Sequence, residues 1–202
     1  GVGGGVAAAA MLAQFVPIRV GAVVDFGDYH PLHLAEDIAV ADITSGGRIE
    51  VLLRGGSEDQ LRLLVEALSG AHLRFDGGSL RVPAQLTDNQ PSPDRLALNP
   101  RPAQPVVPIW VEDGSAEVAN RTGVGVAARW RKGIGAPAPV GRWPGMLLCP
   151  GDVAPEELLD AAGDATAYFV VEASTPAEAA SASRRLVGPL RMPDFPGWIS
   201  RQ

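Results

Sequence analysis

His30, His33 and His72 are the histidines of this chain, and Cys149 is its one cysteine. His30 and His33 stand three residues apart at what reads as a helix start, a spacing that can place two imidazoles on one face. A metal ion needs further ligands beside such a pair. No third ligand cluster stands out in the sequence, so no metal is expected. His30 follows the first apolar run and is a candidate for acid–base work or ligand contact, because an imidazole titrates near neutrality. Arg54 follows the apolar run Arg48-Ile-Glu-Val-Leu-Leu53. A guanidinium there can hold a phosphate or carboxylate through paired hydrogen bonds; the plainer reading is an arginine laying its stem across the rim. Cys149, on an apolar run beside Pro150, reads as a packed small hydrophobe rather than a nucleophile. Glu156-Glu157 suits a helix N-terminus, which favours negative charge. Trp110, Trp130 and Trp143 either belong to the core or line a pocket for a flat aromatic cofactor, and the sequence leaves both open.

These residues are positioned by strands alternating with helices. Ala7 to Phe15 reads as a short Ala-rich helix, and Ile18 to Phe26 as a strand too continuously apolar to be half exposed. His30-Pro31 opens a helix whose buried face is expected from Leu34, Ala35, Ile38, Ala39 and Ile43, with Ser45-Gly46-Gly47 stopping it. After the strand at 48–53, Ser57-Glu-Asp-Gln60 has the pattern of a capping box. The Asp76-Gly77-Gly78-Ser79 stretch marks a small hairpin. Residues 83–104 form a long connection, either a functional loop or the scar of an excised segment. Further strands are expected at 106–111, 124–130, 146–149 and 165–172, with helices ending near Arg121, Ala161 and Val187. Gly123-Val-Gly125 precedes a strand and reads as a turn. Six strands alternating with helices predict a parallel α/β sheet in one domain spanning 1–202. Chemistry in such a sheet sits at the carboxyl ends of the strands. That rule marks Asp25 to Tyr29, Arg54 to Ser57, Glu112 to Ser115, Trp130, Pro150 to Asp152 and Glu172 to Ser174, and the groups expected to approach a ligand are Asp25, His30, Arg54, Gly55 and Ser115.

Composition narrows the partners. The 202 residues carry 17 basic and 23 acidic side chains, a formal net charge of −6. Phosphate backbones and anionic membranes select for basic faces, so neither nucleic acid nor membrane is expected as a partner. No apolar run approaches the roughly 20 residues of a bilayer span. One cysteine leaves no internal disulfide framework, which makes the cytoplasm the expected compartment. The opening Gly1 to Ala10 lacks a basic segment and reads as a chain start or a lost loop, not a signal peptide.

The order of several short motifs resembles the bacterial luciferase-like monooxygenase family. They are Pro17-Ile-Arg-Val-Gly-Ala-Val-Val24, His30-Pro-Leu-His-Leu-Ala-Glu36, Asp42-Ile-Thr-Ser-Gly-Gly-Arg48 and Leu98-Asn-Pro-Arg-Pro-Ala-Gln-Pro-Val-Val-Pro-Ile-Trp-Val111. The resemblance runs over about residues 7 to 190. It implies an incomplete (β/α)8 TIM-barrel-like fold of about six parallel strands with flanking helices and a small hairpin insertion, corresponding to strands three to eight of the family's barrel. It further implies FMN or the deazaflavin F420 at the carboxyl ends of the strands, and oxidation of a small organic substrate. Against the family pattern, the glycine-rich turn after the fourth strand reads Leu52-Leu-Arg-Gly-Gly56, so that Arg54 and Gly55 are one position out of step or one residue has been lost. The glycine pair after the Trp strand is replaced by Glu112-Asp113, two carboxylates where an anionic flavin tail would lie.

Two functional expectations follow. In one, the chain is a flavin-dependent monooxygenase or a subunit of one, with His30 as catalytic candidate and Asp25, Arg54, Gly55 and Ser115 near the cofactor. In the other, the flavin has been lost, and the chain is a non-catalytic subunit or small-ligand-binding protein that stabilises a catalytic luciferase-like partner. Six strands cannot close a barrel of this type. Bare edges at the strands beginning near Ile18 and Ala165 would recruit a partner, so an obligate homodimer or heterodimer is expected.

Overall fold

The computed structural model describes residues 4–15, 19–27, 29–83, 96–163 and 167–187. The expected strand starts at Ile18 and Ala165, and most of the first half of the 83–104 connection, lie outside those residues. Helix α1 (Gly4–Phe15) leads into β1 (Val20–Asp25), α2 (Pro31–Ser45), β2 (Ile49–Arg54) and α3 (Glu58–Leu68). The hairpin β3 (Phe75–Asp76) and β4 (Arg81–Val82) follows, and then β5 (Ile109–Glu112), α4 (Ala116–Thr122) and β6 (Gly125–Arg129). The chain continues through β7 (Gly145–Cys149), α5 (Pro155–Ala162), β8 (Ala167–Val171) and α6 (Pro176–Val187).

Local sequence explains the helix ends. The His30 Nδ1 accepts the Leu32 N–H at 3.3 Å, Pro31 sits in the first turn of α2, and Gly46 caps the other end in the left-handed conformation. The Ser57–Gln60 capping box forms in both directions at the start of α3, satisfying two otherwise orphaned amides. Gly123 caps α4 in the left-handed conformation and makes the turn its spacing suggests, while Gly125 opens β6.

The six long strands form one wholly parallel sheet in the order β1-β2-β5-β6-β7-β8. The sheet is curled into a half-barrel flanked by helices, an incomplete TIM-barrel-like fold. One contact measures the curl. Tyr168 on β8 donates its hydroxyl to Glu50 on β2 at 3.3 Å, yet four strand spacings would hold those strands about 19 Å apart in a flat sheet. On the convex side, Ile49, Val51 and Leu53 pack with Leu34, Ile38 and Leu64 into the main core. On the concave side, Leu52, Trp110, Ala127, Met146 and Leu148 form a second cluster, with Trp143 and Tyr168 against it. Trp110 and Trp143 are buried in this cluster, and Trp143 also lines a small pocket with Leu68 and Val107. Trp130 packs on a third cluster around Leu147, Cys149 and Leu158.

Two expectations are corrected. The first strand is not buried on both sides. It alternates, with Val20, Ala22 and Val24 inside and Gly21, Val23 and Asp25 exposed, because among the described residues it is the last strand at its end of the sheet. Ile43 does not join the buried face of α2 but is about half exposed. The core face of that helix turns instead through Ala41, Asp42 and Ser45. Asp42 is fully buried and accepts two hydrogen bonds from Gln104, one from its backbone N–H at 2.7 Å and one from its side-chain amide at 2.6 Å. The charge is thereby solvated by the protein, and the loop entering β5 is tied to α2.

Candidate functional site

Strand register sets which side chains share the concave face. Asp25 pairs with Arg54, Leu52 with Trp110, Trp110 with Gly125, and Glu112 with Ala127. Alternation then places Arg54, Glu112 and Arg129 on one side of the sheet at the carboxyl ends of β2, β5 and β6. Gly125 makes that face possible below the rim. A Cβ there would fall 2.4 Å from the Trp110 ring, so only glycine lets the indole lie across β6.

At the rim, Glu112 bridges two arginines. Its Oε2 accepts from Arg54 Nε at 2.6 Å, and its Oε1 pairs with Arg129 Nε at 2.9 Å. The glutamate side chain is 9% exposed and the arginines are 42% and 47% exposed. Arg129 also donates through Nη1 to Glu172 at 3.2 Å. The chain of alternating charge therefore runs from β2 across β5 and β6 to the end of β8. Among the described residues, the terminal nitrogens of Arg54 have no hydrogen-bond partner. The buried carboxylate thus fixes both guanidiniums by their Nε edges and leaves the outer edge of Arg54 turned to solvent, a geometry suited to a ligand's anionic group. Beside Glu172, an open cleft of about 550 Å³ sits over the ends of β7 and β8, lined by Asp152, Ser174, Ser181 and Arg185 among others.

Below the rim lies a second polar group. Burial pushes the Glu50 carboxyl above its usual range, against the opposing pull of Arg19, whose Nε donates to it at 2.5 Å. Tyr168 is stacked on Trp110, with ring centroids 5.6 Å apart, and burial beside Glu50 raises its hydroxyl above the ordinary tyrosine range. The floor of the half-barrel is therefore filled by side chains and the charged rim stands above it.

The sequence candidates fall into three groups. Asp25 and Arg54 are brought together as register neighbours at the rim, with Asp25 exposed. Gly55 follows Arg54 with φ 69°, and Gly56 turns the chain so tightly over Phe26 that a Cβ would come within 2.5 Å of its ring. His30 and Ser115 serve as helix caps: His30 accepts from Leu32, and Ser115 Oγ accepts from the Val118 N–H at 3.1 Å. His33 lies edge-on to His30, with ring centroids 5.5 Å apart. Among the described residues, no group of three His, Cys, Asp or Glu side chains is placed to hold a metal ion. Cys149 is fully buried, its thiol pushed up to about 12 by burial and by Glu172, as its apolar surroundings suggest. Glu157 at the start of α5 pairs with Lys132 at 2.9 Å. Sequence reasoning reached Glu112 and Glu172 only as strand-end positions, took Glu112 as a misfit to the flavin tail, and missed Arg129; the available signal was parity, since 52 and 54, 110 and 112, and 127 and 129 are same-face pairs along their strands.

No helix among the described residues is long and apolar enough to cross a membrane. No protein-family model matches the chain, and neither does any curated protein sequence. Among solved structures it is similar to the crystal structure of monooxygenase RslO1 from Streptomyces bottropensis, with a TM-score of 0.51 and 19% identity. That match covers 91% of this chain and 62% of the other, so the chain spans less than two thirds of that protein's length. At this identity the likeness is one of fold.

Proposed function

We propose that the chain is a luciferase-like, flavin-dependent monooxygenase module, or one subunit of such an enzyme, acting on a small organic molecule at the carboxyl rim of its half-barrel. The fold likeness to a monooxygenase supports the reaction class. The observation that carries the reading is the Glu112 bracket, which presents Arg54 and Arg129 side by side where parallel α/β sheets bind ligands.

The donor set fits an anionic flavin. Arg54 has its outer edge available and Arg129 is half exposed, so the two would hold the phosphate of FMN or the charged tail of F420, with Glu112 keeping both side chains oriented. A bound reduced flavin would supply the activation of dioxygen for oxidising the substrate. The chain's own part is position and proton placement. The apolar floor of Leu52, Trp110, Met146 and Leu148 keeps water from beneath the rim. Because His30 Nδ1 accepts the Leu32 N–H, the neutral imidazole carries its proton on Nε2. There it can donate to a ligand but cannot accept. His30 is accordingly a proton donor in this reading, and Asp25 a hydrogen-bond acceptor beside Arg54.

Titration of the purified chain with FMN and with F420, followed by flavin fluorescence and thermal stability, tests this. Saturable binding of one of them, with a raised melting temperature and at least tenfold weaker binding in Arg54→Met, is the expected result. A second reading, a binding protein that has lost its flavin, draws on the Trp110–Tyr168 stack that occupies the concave interior. A colourless protein that gains no heat stability from either flavin would replace the first reading with the second.

A further inference from the structure

A cavity of about 140 Å³ lies at the end of the sheet opposite the rim, between the last turn of α3 and the chain entering β5 and β6. Its inner wall includes Leu68, Val107, Val124 and Trp143, all buried, with Val65 of α3 half-buried beside them. Val106 and Ser69 are exposed and mark its mouth. The three inner valines sit on three different segments, and a valine is stiff and too short to swing across and fill the space.

We propose that this cavity is a binding site for a single aromatic ring, carried by a small apolar molecule. Three properties set that class. The first is size, since a dry apolar cavity of about 150 Å³ accepts benzene. The second is the lack of anything polar to offer. Among the described residues that line it, none is charged. Its donors are already committed: Trp143 Nε1 donates to the Gly123 carbonyl at 2.8 Å, and the Ser69 hydroxyl donates to the Glu66 carbonyl at 2.7 Å. The Gly123 and Val124 N–H groups both go to the Ala119 carbonyl, at 2.8 and 3.2 Å. A ligand that buried its own polar atoms here would find none of these groups to pair with, at a cost larger than the apolar contact returns. The third is the Trp143 wall. An aromatic ring set edge-on or offset against an indole gains more than the area it buries, which favours a flat ring over an aliphatic chain of the same volume. The site is separate from the rim, where parallel α/β sheets bind ligands, and it does not depend on flavin binding. Trp143 in turn lies 5.6 Å from Trp110, so an occupant on Trp143 sits one ring away from the floor of the half-barrel.

Benzene is the probe, with naphthalene as the two-ring control, titrated into the full chain labelled at its valine and leucine methyl groups for NMR. The expected result is saturable benzene binding at about 0.1–1 mM, with a raised melting temperature. The methyl shifts should be largest at Val65, Leu68, Val107 and Val124, and naphthalene should bind at least tenfold more weakly. Val65→Phe, which puts a ring into the cavity from α3, should abolish both the shifts and the rise in melting temperature. Val106→Trp, which closes the mouth from the other side, should do the same. An absence of saturable shifts at these methyls, equal affinity for naphthalene, or benzene binding that persists in either variant once folded would each overturn the proposal.

Discussion

The rim makes an asymmetric prediction about charge. Arg54 and Arg129 are each close to half exposed, so either ion pair taken alone is screened by water and should contribute little, about 0.5–1 kcal/mol. Arg54→Met leaves Glu112 held by Arg129, and Arg129→Met leaves it held by Arg54. Removing both strands a carboxylate that is 9% exposed. An uncompensated buried charge costs about 3–5 kcal/mol, and the position at the rim argues for the low end. The double variant should therefore lose about 3 kcal/mol where the singles sum to less than 2, a coupling of at least 1 kcal/mol. For a chain of this size the double variant should melt about 6–12 °C lower.

The same logic fixes the rescue. A triple variant that adds Glu112→Gln removes the stranded charge and should recover most of what the double variant loses. Urea unfolding of the wild type, both singles, the double and the triple measures all of this. Additive costs, or a triple variant as weak as the double, would refute the claim that Glu112 depends on both guanidiniums.

Two further outcomes follow from the interior. Burial raises the Glu50 carboxyl above its unfolded value, so the wild type should be more stable below the ordinary carboxylate range and lose that increment as pH rises through the folded value. Glu50→Gln should flatten this slope in thermal melts between pH 4 and 7, and an unchanged slope would exclude Glu50 as its source. Gly125→Ala drives a Cβ to 2.4 Å from the Trp110 ring and should cost about 1–3 kcal/mol, with a shift in tryptophan emission; a wild-type melting curve would show that the indole has room to move.

Much of this fold is legible because short-range chemistry specifies it. Ser57 and Gln60 satisfy each other's amides within one turn, and Gly46 ends α2 through a conformation that few other residues adopt. The parallel sheet follows from β-branched runs separated by helix caps. What was not legible depends on contacts between distant residues. Val20-Gly-Ala-Val-Val24 has the composition of a strand buried on both sides; its concave face is exposed where β1 ends the described sheet, a property of the sheet and not of the segment. Glu112 seemed out of place because its partners, 58 positions before it and 17 after it, are set by register across three strands. The tryptophans were ambiguous for the same reason, since Trp110 reaches the core only through the gap left by Gly125.

In a closed barrel, the hydrogen-bond ladder returns to its first strand and thereby sets the curvature. Here the described sheet ends at β1 on one side and β8 on the other. The bend is held by side chains reaching across the concave face, among them the Tyr168–Glu50 hydrogen bond and the Tyr168–Trp110 stack. Arg19 binds Glu50 and Gln104 together, and Gln104 binds Asp42, so this brace runs on into the helical layer at α2. The spacing of Arg54, Glu112 and Arg129 at the rim depends on the same curvature. Floor and rim are in this sense one mechanical unit: a side chain that lets the floor relax widens the strands' carboxyl ends and moves the guanidiniums, although it touches neither of them.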